Sequence, residues 1–152
     1  RASTPQRRLE AIRLLSSAGI PTGVMVAPII PGLTDHEIEP ILEAAAEAGA
    51  KTAGYVMLRM PLEIKDLAHQ WVTENVPDRA SKVIAQMQNS RDGKDYDAAF
   101  GTRMRGSGPF ADLIAQRFKK ATRRFGLDNK LPPLCTDLFH WPEAPSPQLS
   151  LI

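Results

Sequence analysis

Two short, wholly apolar segments on either side of an amphipathic segment constrain the fold of this chain most. Residues 22–30 and 52–58 are rich in β-branched and other apolar side chains, as are strands buried on both faces of a sheet. Residues 34–48 carry apolar side chains at helical spacing, and Thr34 and Glu37 have the spacing of a capping box. The pattern predicts an α/β fold in which a right-handed crossover helix joins two parallel strands.

Helices are predicted before and after this unit, over residues 5–18, 62–73, 77–89 and 110–125. A two-stranded sheet cannot bury both faces of strands of this type, so we expect the missing strands in chain that precedes residue 1. The sequence predicts three parts, which are an α/β portion, a mostly helical extension and a proline-rich tail. They span residues 1–61, 62–130 and 131–152.

The chain of 152 residues has one cysteine, Cys135, so it cannot form an internal disulfide or hold an iron–sulfur cluster by itself. Its histidines, His36, His69 and His140, lack the spacing of metal ligands. No metal ligand is therefore predicted in this chain, and its catalytic residues are unknown. A run of 18 apolar residues and a signal peptide are both missing from the sequence, which predicts a cytoplasmic protein without a membrane span.

A strongly basic region stands out from the formal net charge of +2. Residues 101–130 contain eight Lys and Arg against two acids, and the loop before the last helix is rich in glycine and hydroxyl side chains. This layout suits the phosphates of a nucleic acid, and a solvated basic helix face is the alternative. The candidate nucleic-acid contacts are Arg103, Arg105, Arg117, Lys120 and Arg124.

The carboxyl ends of the two predicted strands are the expected ligand-binding edge of a parallel sheet. Residues 26–32 and 57–61 offer apolar surface and backbone groups, which suit the packing of a flat ring and equally suit ordinary core and turns. Arg59 is the one charged side chain in these two segments. A guanidinium at this place can clamp a carboxylate or phosphate, or it can pair with a neighbouring acid.

The last five residues resemble a short peptide that binds the bacterial sliding clamp, whose usual form is Gln-Leu-Ser/Asp-Leu-Phe. Here Ile152 replaces the final aromatic residue. The resemblance implies that the Gln148 amide bonds to backbone while aliphatic side chains fill a groove. A disordered or core-packing tail is the alternative. The candidate contacts are Gln148, Leu149, Leu151 and Ile152.

Several segments together resemble the spore-photolyase-like group of radical S-adenosylmethionine (radical SAM) proteins, often labelled DNA repair photolyase. They are Pro-Ile-Ile-Pro-Gly-Leu-Thr-Asp at 28–35, Tyr-Val-Met-Leu-Arg-Met-Pro at 55–61 and Phe-Gly-Thr-Arg-Met-Arg-Gly-Ser-Gly-Pro-Phe at 100–110. The resemblance implies a partial (β/α)6 TIM-like barrel that holds a 4Fe-4S cluster and cleaves S-adenosylmethionine to a 5′-deoxyadenosyl radical. DNA is the candidate substrate that the label suggests.

The family's Cys-x3-Cys-x2-Cys cluster loop is missing from this sequence, so the resemblance implies the C-terminal portion of such an enzyme. Residues 20–32 and 52–61 are then the last two barrel strands. By strand position, Val26, Ala27 and Ile29 are expected near the adenine, with backbone around Leu58 and Met60 at its edge and Arg59 nearby. The alternative function is a nucleic-acid-binding or clamp-tethered module without catalysis of its own.

Overall fold

The computed structural model describes residues 2–96, 98–133, 135–137 and 139. Within those ranges five α-helices accompany one sheet of two parallel strands, which confirms the α/β prediction. The helices are α1 (Pro5–Ser17), α2 (Ile38–Glu47), α3 (Ile64–Asn75), α4 (Ala80–Asn89) and α5 (Gly108–Arg124). The strands are β1 (Gly23–Ile29) and β2 (Thr52–Met57), and short 3-10 helices occupy Asp35–Glu37 and Pro77–Arg79. None of these helices is both long and apolar enough to cross a membrane.

One face of the sheet is covered by helices. Val26, Tyr55 and Met57 are at most 6% exposed and share a core cluster with Leu42 of α2. The Tyr55 ring packs against the Phe118 ring of α5, with 4.7 Å between the ring centroids. Helix α1 packs against the same cluster beside α2. This face therefore holds the main core of the described chain.

The opposite face of the sheet is open. Met25 is 62% exposed, and Ala27 is exposed. The Met25 side chain lies across Gly54, because a Cβ at Gly54 would come within 2.9 Å of Met25 Cε. The described residues thus leave one face of the sheet uncovered, as expected when strands of this type lack further neighbours.

The two edges of the sheet also differ. The outer edge of β2 is bonded to later parts of the chain, since Ala53 N donates to Leu127 O at 3.1 Å and Met57 N donates to Met104 O at 2.9 Å. The outer edge of β1 pairs with no strand in the part of the chain that the structure describes. A further strand can therefore be added beside β1 but not along the whole of β2.

Helix α2 begins later than the sequence indicates. The Thr34 hydroxyl does not cap the helix; it accepts a hydrogen bond from Ile30 N at 2.9 Å instead. A 3-10 turn over Asp35–Glu37 precedes α2, which starts at Ile38. The predicted capping box is therefore wrong, because the threonine side chain is used to fasten the turn after β1.

Helices α3 and α4 form a second core cluster next to the carboxyl ends of the strands. Met60, Val72, Val83 and Met87 are at most 3% exposed, and Ile30 packs against them. The chain thus passes from β2 directly into this cluster at Met60. The long connection between α4 and α5 then returns to the end of β2, where Met104 accepts its hydrogen bond.

Candidate functional site

The apolar candidates at the strand ends fall on different sides of the sheet. Val26 and Ile29 are 6% and 1% exposed and lie in the core cluster under α2. Met60 is 1% exposed and lies in the cluster of α3 and α4. Only Ala27 of the three β1 candidates is exposed. The side chains of Val26, Ile29 and Met60 therefore serve as core, while Ala27 remains accessible to a ligand.

The backbone of Leu58 is bonded within the chain. Its N–H donates to Ile29 O at 2.9 Å, and its carbonyl oxygen accepts from Arg91 Nη2 at 2.5 Å. Arg91 is 3% exposed, and its Nη1 also donates to Arg103 O at 3.3 Å. Arg91 thus joins the end of β2 to the connection before α5. Sequence analysis missed this residue, because nothing in a polar, glycine-rich segment distinguishes a buried arginine from a solvated one.

Arg59 follows Leu58 at the carboxyl end of β2. Its Nη2 donates to the Tyr96 hydroxyl at 3.2 Å, and its Nη1 lies 4.0 Å from Met104 Sδ. Its Nε is buried and has no hydrogen-bond partner. Among the described residues, Arg59 forms no ion pair with an acid. Of the two roles that the sequence left open, pairing with a neighbouring acid is not seen in these ranges.

The glycine-rich connection before α5 uses its amides internally. Four of its backbone N–H groups donate to carbonyls of the same region, at 2.7 to 3.1 Å. They are Arg103 N to Ala99 O, Arg105 N and Gly106 N to Thr102 O, and Ser107 N to Ser90 O. The sequence pattern suggested that this connection binds a phosphate. These four amides are not available for that role, because they donate to carbonyls of the chain.

Arg117, a predicted nucleic-acid contact, is part of an ion-pair network between α5 and the start of α2. Its guanidinium donates to the Glu39 carboxylate at 2.8 and 3.1 Å and to Asp35 Oδ2 at 3.4 Å. The hydrogen bond from Arg117 lowers the pKa of Glu39 below its ordinary value of 4.5, and the Glu39 carboxylate in turn raises the pKa of Arg117. Arg117 therefore holds two helices together instead of standing free for phosphate.

Of the other four basic candidates, Arg103 is half-buried and the remaining three are exposed. Lys120 and Arg124 are exposed on α5. Arg103 lies over the Phe100 ring at 5.0 Å, and Phe100 is 90% exposed. Arg105 lies over the Tyr55 ring at 4.1 Å and lines a cleft of about 280 Å³ between the outer edge of β2 and α5. Of these four candidates, two are thus exposed on α5 and two lie over rings on the connection, and Arg124 also lies over the Phe125 ring at 5.1 Å.

One side-chain pair was not anticipated by the sequence. His69 Nε2 of α3 lies 3.0 Å from Asp95 Oδ1, which also accepts from Gln88 Nε2 at 3.0 Å. The pair ties the connection after α4 to α3, and the scattered positions of the histidines gave no signal for it. No group of three or more His, Cys, Asp or Glu side chains that could hold a metal ion occurs in the described ranges.

The candidate clamp-binding residues Gln148, Leu149, Leu151 and Ile152 lie outside the described residues. Their role stays a prediction, which a peptide of residues 143–152 and its Leu151→Ala variant can test against a bacterial sliding clamp. Loss of binding in the variant is expected, and a parent peptide that does not bind would contradict the prediction.

Comparison with protein-family models, with curated proteins and with solved structures gives no match to this chain.

Proposed function

We propose that this chain is the C-terminal portion of a radical SAM iron–sulfur enzyme of the spore-photolyase-like kind, and that β1 and β2 are the last two strands of its partial barrel. The sequence segments that resemble the family supply the first support. The geometry of the sheet supplies the second. The parent enzyme binds S-adenosylmethionine at the carboxyl ends of the strands, and DNA is its candidate substrate.

The difference between the two sheet edges is the observation that carries the proposal. A strand at the end of a partial barrel needs a neighbour on one side only, and the outer edge of β2 is already bonded through Ala53 and Met57. The next-to-last strand needs neighbours on both sides, and β1 pairs only with β2 among the described residues. The covered face holds α2 and α5, as the outer layer of a barrel does.

The open face is the surface that the rest of such a barrel would enclose. Met25 and Ala27 expose apolar atoms there, with the Met25 side chain lying over Gly54. Exposed apolar side chains suit the packing of a flat ring, such as adenine, against the sheet. In the proposed enzyme Ala27 is therefore the β1 residue that contacts the cofactor, with Arg59 at the end of the neighbouring strand.

The described residues do not fit an iron–sulfur cluster. No three suitable ligands lie together in these ranges, and Cys135 is exposed and alone. The proposal requires that another part of the parent protein supply three cysteines.

The proposal is tested on the parent protein, which is this chain together with the sequence that is encoded upstream of residue 1. We expect the upstream region to contain Cys-x3-Cys-x2-Cys, and the anaerobically purified, reduced protein to form 5′-deoxyadenosine from S-adenosylmethionine. Ala27→Glu is expected to raise the KM for S-adenosylmethionine at least about tenfold, because it puts a charge on the ring-binding surface. Ala85→Glu, at an exposed position of α4, is the matched control.

An upstream region without the three cysteines would contradict the proposal. So would a protein that binds iron but forms no 5′-deoxyadenosine under reducing conditions. Equal effects of Ala27→Glu and Ala85→Glu on KM would contradict the placing of the cofactor at β1.

A second candidate function is nucleic-acid binding without catalysis, which the exposed cations of α5 favour. Lys120 and Arg124 are one helical turn apart and exposed, and the solvated Phe100 ring is available for stacking on a base. Phosphate contacts of this kind release counterions, so that affinity falls steeply with salt concentration. Arg117 is left out of this surface because its guanidinium is engaged with Asp35 and Glu39.

Fluorescence anisotropy with a duplex oligonucleotide at several salt concentrations tests this second candidate. The Lys120→Ala/Arg124→Ala variant is expected to bind more weakly and to lower the salt slope by about 2. Lys82→Ala, at an exposed position of α4, is the control that should bind like the parent. A double variant that binds as tightly as the parent would end this candidate.

A further inference from the structure

The guanidinium of Arg59 is a cation whose hydrogen-bonding capacity is largely unused. A guanidinium carries five N–H donors. The described structure gives it one hydroxyl acceptor, on Tyr96, and one weak sulfur contact, on Met104. Its Nε is buried without any partner. Leaving a buried N–H donor of a charged group without an acceptor costs free energy. The unpaired Nε of Arg59 therefore indicates that an acceptor is missing from this site.

The acids nearest to Tyr96 in the described sequence are committed elsewhere. Asp95 interacts with His69 and accepts from Gln88. Asp92 accepts a hydrogen bond from the Ser107 hydroxyl at 3.0 Å. Neither acid forms an ion pair with Arg59. In the described part of the chain, neither Asp92 nor Asp95 therefore neutralises the charge of Arg59.

Tyr96 adds a donor to the same place. Its hydroxyl oxygen accepts from Arg59 Nη2, which leaves the hydroxyl hydrogen to donate. We propose that Arg59 and Tyr96 form a binding site for a carboxylate or phosphate group of a ligand at the carboxyl end of β2. The Arg59 N–H groups and the Tyr96 hydroxyl donate to the anion's oxygens. The inference depends on this side-chain geometry and not on the proposed radical chemistry.

Nuclear magnetic resonance of arginine side chains tests the site in the 152-residue chain itself, with no iron or S-adenosylmethionine present. The Nε–Hε resonance of Arg59 is assigned as the one that disappears in Arg59→Lys. The chain is titrated with sodium phosphate and, separately, with sodium acetate, at constant ionic strength and pH. We expect a saturable shift of this resonance with at least one of the two anions, and the anion that saturates it identifies the ligand group.

Variants separate this site from general attraction of anions. Arg59→Lys keeps the charge but loses the fork of donors, and it should weaken binding at least about tenfold, as followed through backbone amides. Tyr96→Phe should weaken it by about tenfold or more, for the loss of one hydrogen bond to a charged group. Arg79→Gln removes an exposed arginine and should change nothing.

Three results would overturn the proposal. One is a shift that grows with anion concentration without saturation. Another is saturable binding that Arg59→Lys and Tyr96→Phe leave unchanged. The third is no shift with either anion, which would mean that the chain itself supplies the missing partner. None of these results bears on whether the parent protein cleaves S-adenosylmethionine.

Discussion

The two faces of the β1–β2 sheet have similar apolar compositions but different surroundings. On the covered face, Met57 is 2% exposed beneath the helices. On the open face, Met25 is 62% exposed and lies over Gly54. The same type of side chain thus contributes to the core at one position and faces solvent at the other. An apolar strand face that nothing covers is a surface for contact with something else, and in our proposal that is the rest of the barrel.

The largest expected effect tests the difference between the faces directly. Met57→Ala removes a buried side chain and should lower the free energy of unfolding by about 3 kcal/mol, since the core cannot fully close over the cavity. Met25→Ala removes the same atoms from an exposed position and should change it by less than about 0.5 kcal/mol. Urea unfolding of both variants measures the two values. Similar losses would contradict the assignment of covered and open faces.

A smaller effect concerns the ion pairs that hold α5 against α2 over the covered face. Arg117→Met should lower the free energy of unfolding by about 1 kcal/mol, because the pairs with Asp35 and Glu39 are partly exposed to water. Lys120→Met, at an exposed cation of α5, should have an effect within about 0.5 kcal/mol. Equal losses in the two variants would show that Arg117 does not fasten the helices.

The smallest effect is the pH dependence that the same ion pairs confer. The hydrogen bond from Arg117 keeps the pKa of Glu39 below its ordinary value of 4.5 in the folded chain. The unfolded chain therefore binds this proton more readily, so the contribution is complete above about pH 4.5 and is lost as the pH falls through the folded pKa. Between pH 6 and pH 3, the free energy of unfolding should fall more for the parent than for Arg117→Met. An equal loss in both would contradict the coupling.

The order of helices and strands could be predicted because it depends on local patterns. The apolar runs and the helical spacing are properties of neighbouring residues, and the structure confirms α1, β1, β2 and the later helices close to their predicted places. The start of α2 differs because the Thr34 side chain bonds back to Ile30. That choice depends on how the turn after β1 closes, which a capping pattern alone does not reveal.

The roles of the arginines could not be predicted, because they depend on residues far away in the chain. Arg117 and Glu39 are separated by 78 positions, and Arg59 and Tyr96 by 37. An arginine in a basic segment has the same local pattern whether it is solvated, as the nucleic-acid hypothesis assumes, or paired with acids of another helix. The sequence drew attention to Arg59 through its place after β2, but its unpaired Nε is visible only in the folded chain.

Our central claim is that the rest of a parent protein covers the open face of the β1–β2 sheet. Its most direct test is to measure whether this face is protected in the longer protein. Met25→Cys is introduced together with Cys135→Ser, and the rate of thiol alkylation is measured in the 152-residue chain and in the polypeptide that includes the upstream sequence. Lys120→Cys, on the exposed side of α5, serves as the control and should react rapidly in both. Our account predicts that alkylation at position 25 is rapid in the 152-residue chain and at least about tenfold slower in the longer protein. Equal rates at position 25 in the two proteins would contradict it.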